Sequence, residues 1–112
     1  YYPAGRGYLG CHTDPAGSHQ MITCTLLIKK GSNSDSSGYY VLDDLDGKMF
    51  FEKDLNIGDF YIGSPFIPHG VDKIGGLFDP FGSEGRYALL YPVNKLANNK
   101  NIGDSINVRK KS

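Results

Sequence analysis

The sequence predicts an all-β fold, and three features carry that expectation. Segments rich in β-branched and aromatic residues recur along the 112 residues, each bounded by Gly, Asn, Ser or Asp, the punctuation of strands joined by turns. The residue types suit a pleated surface, with 8 Tyr and 6 Phe accompanying 15 Gly. No stretch asks for an amphipathic helix. A chain of this length makes one domain with one modest core, because small domains bury a smaller share of their surface than large ones.

Taken in order, Gly7 to Asp14 (GYLGCHTD) is the first expected strand, and PAGSH turns the chain. Gln20 to Lys30 (QMITCTLLIKK) is the strongest strand pattern, followed by a polar loop from Gly31 to Gly38. Gly38 to Asp44 and Lys48 to Lys53 come next, joined by a hairpin in which Asp46 and Gly47 supply the positive φ of a tight primed turn. Gly58 to Ser64, His69 to Ile74 and Arg86 to Val93 complete the series, whose spacing suits a sandwich or barrel. From residue 95 to 112 the chain is polar and rich in Asn and Lys, and reads as a C-terminal tail or edge element apart from the domain spanning 1–94.

Twelve basic residues balance twelve acidic ones, so no global field would draw the protein onto nucleic acid or an anionic membrane. No apolar run approaches the length of a spanning helix and no basic-then-apolar leader opens the chain, which predicts a cytoplasmic protein with no membrane partner. Cys11 and Cys24 fit neither a zinc ribbon nor a disulfide framework, and are expected as reduced, packed thiols.

The chemistry centres on His12, Asp14 and His69. His12 and Asp14 are one residue apart, so on a strand both point to the same side as a chelating pair. His69 follows in IGSPFIPHGVDKI, where two prolines fix the backbone before the imidazole. Two histidines and a carboxylate form the facial triad of non-haem Fe(II) sites, which leaves positions open for a bidentate co-substrate and O2. A hydrogen-bonded strand histidine would account for His12 equally well, and a turn residue capping a backbone group for His69.

The order and phrasing GCHTDP, ITCTLLIKK, SGYYVLDD, LNIGDFYIGSPFIPHGV and GRYALLYPV resembles the Fe(II)/2-oxoglutarate-dependent oxygenases of the cupin superfamily, from about Tyr8 to Val93. The resemblance implies a double-stranded β-helix, a jelly-roll or cupin-like barrel. It implies His12, Asp14 and His69 as iron ligands and Arg86 as the partner of the distal carboxylate of 2-oxoglutarate. A planar guanidinium suits that role because it offers two parallel donors. The family usually places a hydroxyl two residues after this Arg. Ala88 stands there, so Tyr8, Thr23 or Thr25 is expected to supply it, with Lys73 as an alternative carboxylate partner.

The implied activity is that of a dioxygenase, a hydroxylase that converts 2-oxoglutarate and O2 to succinate and CO2 while oxidising a small-molecule or peptidyl substrate. Asp14 argues against the family's halogenase branch, which has a small residue there. His19, in its Gly-Ser turn, is a further candidate near the metal, and Phe78 and Phe81 are expected as apolar substrate contacts on the GGLFDPFGSEG loop. Family members usually carry an extra strand and helices before the first motif, and only eleven residues precede His12. The expectation is a small version, a missing N-terminal region, or completion by a partner such as a second copy. Two other readings stand beside this one: a metal-binding cupin that uses no 2-oxoglutarate, and a non-catalytic jelly-roll binding module with structural histidines.

Overall fold

The computed structural model describes residues 1–14, 20–33, 37–45 and 47–94. The turn over 15–19 with His19, Asp46 of the hairpin, and residues 95–112 lie outside the described residues. The described residues form eight strands: β1 (Tyr2–Pro3), β2 (Leu9–His12), β3 (Gln20–Lys29), β4 (Gly38–Leu42), β5 (Lys48–Phe50), β6 (Phe60–Gly63), β7 (His69–Asp72) and β8 (Gly85–Asn94). The seven expected strands are among them. The eighth, β1, is a two-residue strand that pairs Tyr2 with Arg86 and Pro3 with Gly85, too short to leave an alternation signal in the sequence.

The strands form two antiparallel sheets, in the orders β1-β8-β3-β6 and β2-β7-β4-β5. The pairings 1 with 8, 2 with 7, 3 with 6 and 4 with 5 are nested like those of one long hairpin, and successive nested pairs fall in alternate sheets. The protein is thus all-β among the described residues, with two facing sheets compatible with a β-sandwich.

The long β3–β8 ladder runs from Gln20 opposite Asn94 to Lys29 opposite Tyr87, and gives the first sheet its frame. Pleating divides its side chains. Thr23, Thr25 and Leu27 of β3, with Arg86, Ala88, Leu90 and Pro92 of β8, lie on the side facing the second sheet. Thr25 and Leu27 are buried there, with Leu27 wholly so. On the opposite side, Phe60, Ile62, Leu89 and Tyr91 form an exposed apolar face.

In the second sheet a bulge decides which residues point inward. Leu9 pairs with Val71 and His12 with His69, so Gly10 and Cys11 together oppose the single residue Gly70. Gly70 makes this possible, since a Cβ there would lie 2.6 Å from the Tyr40 hydroxyl and 2.7 Å from the Leu9 carbonyl oxygen. The extra residue resets the alternation, so that Leu9 and His12, three apart, both face the interior. Tyr8, expected four residues before His12 on the same face, is turned outward and is 71% exposed. Cys11 is also turned out: both cysteines are free thiols, but Cys11 is exposed rather than packed.

The strand expected over Lys48 to Lys53 stops at Phe50, and Glu52–Asp54 forms a 3-10 turn instead. The change follows from Phe51, whose ψ of −4° leaves the extended region and drops Glu52 into the interior. The preceding hairpin is closed by Asp43, whose carboxylate accepts from the backbone N–H groups of Leu45 and Gly47. After β7, the 75–84 loop lies against the chain following β1, with Gly5 N–H donating to the carbonyls of Ile74 and Gly75. Phe78 there packs under the Arg6 guanidinium at 4.1 Å and Phe81 is almost wholly exposed.

Leu27 and Ile74 are fully enclosed and Val71 nearly so, which makes the apolar core small. Leu27→Ala is expected to cost about 2–5 kcal/mol of unfolding free energy. Leu45→Ala, at a residue 90% exposed, should stay within about 0.5 kcal/mol of wild type. Urea titrations followed by circular dichroism measure both, and equal midpoints for the two variants would remove Leu27 from the core.

Candidate metal centre and its cavity

β2 and β7 set His12 directly opposite His69 in the ladder, with ring centroids 4.5 Å apart. Asp14, two residues beyond His12, is held by its backbone N–H donating 2.8 Å to the Pro65 carbonyl, in the turn before His69. Pro65, the first of the two prolines read in the sequence as fixing the approach to His69, thus also anchors the Asp14 backbone. His12 Nε2 lies 3.6 Å and His69 Nε2 3.8 Å from Asp14 Oδ1, and a ligand atom from each of the three residues lies within 4.8 Å of the others.

Each ring is locked from behind. His12 Nδ1 donates 2.8 Å to the Gly10 carbonyl and His69 Nδ1 donates 2.7 Å to that of Ile67. A carbonyl oxygen only accepts, so Nδ1 carries a proton, and a neutral ring in that tautomer presents a bare Nε2 lone pair towards Asp14. The carboxylate is oriented likewise, with Gln20 Nε2 donating 3.1 Å to Oδ2 and leaving Oδ1 facing the imidazoles. These are the outer hydrogen bonds that fix metal-ligating side chains.

The donor separations are too long for direct hydrogen bonds. Bonds of about 2.1 Å to a central cation place neighbouring donors about 3.0–3.4 Å apart, so the 3.6 and 3.8 Å separations from Asp14 Oδ1 would close by about 0.2–0.8 Å around an ion. The donor set of two nitrogens and one oxygen, without thiolate, fits Fe(II).

The triad sits in a cavity of about 210 Å³ between the sheets. At interior packing density this accommodates roughly ten non-hydrogen atoms. Its inner wall is Tyr39, whose ring lies 5.7 Å from that of His69 and 4.9 Å from that of Tyr61. Burial raises the Tyr39 phenol pKa, with the Asp14 charge adding to the rise and Arg86 opposing it, so the ring feels both ends of the cavity.

Arg86 lies at the other end, 2% exposed. Arg86 is expected as the partner of a co-substrate carboxylate, and the structure gives its guanidinium a protein carboxylate. Glu52, wholly buried, takes one edge: Arg86 Nε donates to its Oε1 at 2.8 Å and Oε2 at 3.1 Å, and Nη2 donates to Oε1. Nη2 also donates 2.7 Å to the Tyr61 hydroxyl, which in turn lies 3.4 Å from Glu52 Oε1. Burial alone would favour the neutral guanidine, but the hydrogen bonds to Glu52 and the Tyr61 and Glu52 charges outweigh it and raise the Arg86 pKa.

Space for Glu52 depends on Gly38, at φ +88°, where a Cβ would lie 2.6 Å from Glu52 Oε2. No buried side-chain nitrogen or oxygen among the described residues lacks a partner. Nη1 has none among the Arg86 hydrogen bonds, so it is not fully enclosed, and Arg86 lines the cavity.

The structure therefore brings His12, Asp14, His69 and Arg86 into one cavity, with Thr23 and Thr25 on its wall. Tyr8, Lys73, Phe78 and Phe81 are not among the residues lining it. Sequence reasoning missed Glu52, Tyr61, Tyr39 and Gln20. Two of these left a signal: Tyr61 faces inward as the cross-strand partner of Thr25, and Glu52 is a lone carboxylate after the aromatic run KMFF.

Glu52→Ala, which strands a buried guanidinium, is expected to cost about 3–5 kcal/mol, measured by urea unfolding; a loss below about 1 kcal/mol would mean that water reaches Arg86 freely. Burial also raises the Tyr61 phenol pKa well above its ordinary value of 10.0. The unfolded chain therefore ionises first, and stability from this group is complete below about pH 10 and falls as the pH rises further. Tyr61→Phe should flatten that alkaline fall in urea midpoint, and an unchanged slope would place its origin elsewhere.

Compared with family models, curated proteins and solved structures, the chain gives no significant match in any of the three.

Proposed function

We propose that this chain is a non-haem Fe(II) oxygenase that uses 2-oxoglutarate as co-substrate, on a double-stranded β-helix. The nested pairing of eight strands across two sheets supports that fold, since a long antiparallel ribbon wound on itself produces this pairing. The observation that carries the function is the triangle of His12, Asp14 and His69. Their ligand atoms converge without bonding one another, while the opposite atoms of all three side chains are tied to backbone or to Gln20.

When bound, Fe(II) would supply the dioxygen chemistry: 2-oxoglutarate, O2 and a C–H substrate would yield succinate, CO2 and the hydroxylated product. The chain's own residues divide the remaining work. His12, Asp14 and His69 would hold the ion and leave positions open for the co-substrates. Arg86 Nη1 and the Tyr61 hydroxyl offer two donors to a carboxylate at the far end of the cavity, so Tyr61 takes the place of the hydroxyl expected near Ala88. Tyr39 lies between and fixes the width of the passage.

A second reading, a metal-binding cupin that needs no 2-oxoglutarate, is favoured by one observation. Glu52 already neutralises the guanidinium on which an anionic co-substrate would depend.

Adding Fe(II) and then 2-oxoglutarate without oxygen should give the weak visible charge-transfer band of the chelated keto acid. Asp14→Ala and His69→Ala should abolish it, and Gln20→Ala should weaken iron binding by about tenfold. Iron binding without the band would select the second reading. A folded wild-type protein that binds no iron would falsify both.

A further inference from the structure

The buried pair of Glu52 and Arg86 has no part in holding a metal, yet it forms the end wall of the cavity that the triad opens into. A guanidinium waiting for a carboxylate ligand ordinarily keeps a two-donor edge free for it. Here the Nε and Nη2 edge belongs to Glu52, and the second proton of Nη2 goes to Tyr61. Glu52 has no room to withdraw when a ligand arrives. Its side chain is wholly buried, Gly38 lies against Oε2, and the 3-10 turn fixes its backbone.

We infer that Glu52 is a positioning and selectivity residue: it makes the receptor for the ligand's far carboxylate electrically neutral and reduces it to Arg86 Nη1 and the Tyr61 hydroxyl. This rests on the reading that the cavity receives a dicarboxylate. A receptor of this kind recognises the carboxylate by hydrogen bonds rather than by an unpaired charge. It follows that the wild-type protein binds dicarboxylates weakly, and that removing the Glu52 charge releases a full guanidinium to them.

The Tyr61 hydroxyl is suited to turn towards a ligand. It accepts from Nη2 at 2.7 Å, while its own contact to Glu52 at 3.4 Å is long for an O–H donor, so little is lost when its proton is redirected.

The test uses glutarate, which has both carboxylates of a five-carbon co-substrate but no keto group to chelate iron, titrated calorimetrically into the full chain. Glu52→Gln keeps the side-chain shape and should bind glutarate at least about tenfold more tightly than wild type. It should also gain a larger rise in melting temperature from glutarate, because the ligand then supplies the missing counter-charge. Adding Arg86→Gln to Glu52→Gln should remove the gain. A merely structural role for Glu52 would lower stability without changing glutarate affinity.

Folded Glu52→Gln protein that binds glutarate no more tightly than wild type overturns the inference. Should Glu52→Gln not fold, Tyr61→Phe decides: wild-type affinity must fall by about tenfold, and an unchanged affinity, or no glutarate binding by wild type at all, overturns it. The outcome is separable from the oxygenase reading. If the visible band with Fe(II) and 2-oxoglutarate appears while glutarate affinity ignores Glu52, only the role of Glu52 is lost. If glutarate affinity responds to Glu52 and the band never forms, only the oxygenase reading is lost.

Discussion

Arg86 and Glu52 come from opposite sheets. Arg86 is near the start of β8 in the first sheet, and Glu52 lies just beyond β5, at the edge of the second. Their pairing joins the two layers at one end of the cavity, in a domain with few fully buried apolar residues. Two charges so deeply buried contribute little net stability compared with apolar residues of the same shape, because the desolvation of each opposes their attraction. Their effect is on geometry. Each must find the other, and in doing so they fix the positions of the 3-10 turn, Tyr61 and Gly38.

At the other end the same economy of parts holds the ligand triangle. Two backbone carbonyls and Gln20 restrain the three side chains, and the Pro65 carbonyl holds the Asp14 backbone; the histidine restraints come from two residues back in the chain, Gly10 for His12 and Ile67 for His69. The histidine restraints are therefore local in sequence on each strand, and the centre becomes a site only when β2 pairs with β7. Formation of the site and formation of the second sheet are one event.

That locality explains what could be read from the sequence. The HTD pair, the prolines before His69 and the alternation of QMITCTLLIK each express neighbours a few residues apart, and the structure brings the three expected ligands together. Arg86 was legible as a guanidinium expected to meet a carboxylate, but that Glu52 would supply one was not, because Glu52 is 34 residues away. Tyr8 was misplaced for a similar reason. Alternation counts residues faithfully along an unbroken strand, and the bulge that breaks the count is created by Gly70, far away in the chain. Tertiary contact, rather than propensity, decided both.

The bulge at Gly10 and Cys11 also makes the site sensitive to phase in a way that the rest of the sheet is not. Pairing the same four residues of β2 as an ordinary ladder, without the bulge, would leave the strand well able to pair, yet it would exchange inside for outside on one flank. If the β7 contacts of His12 were kept, Leu9 would turn to solvent; if those of Leu9 were kept, His12 would leave the triangle. The bulge in this strand is thus as strict a requirement as the identity of the ligands, and a change that removes no functional side chain could still silence the centre by an error of half a pleat.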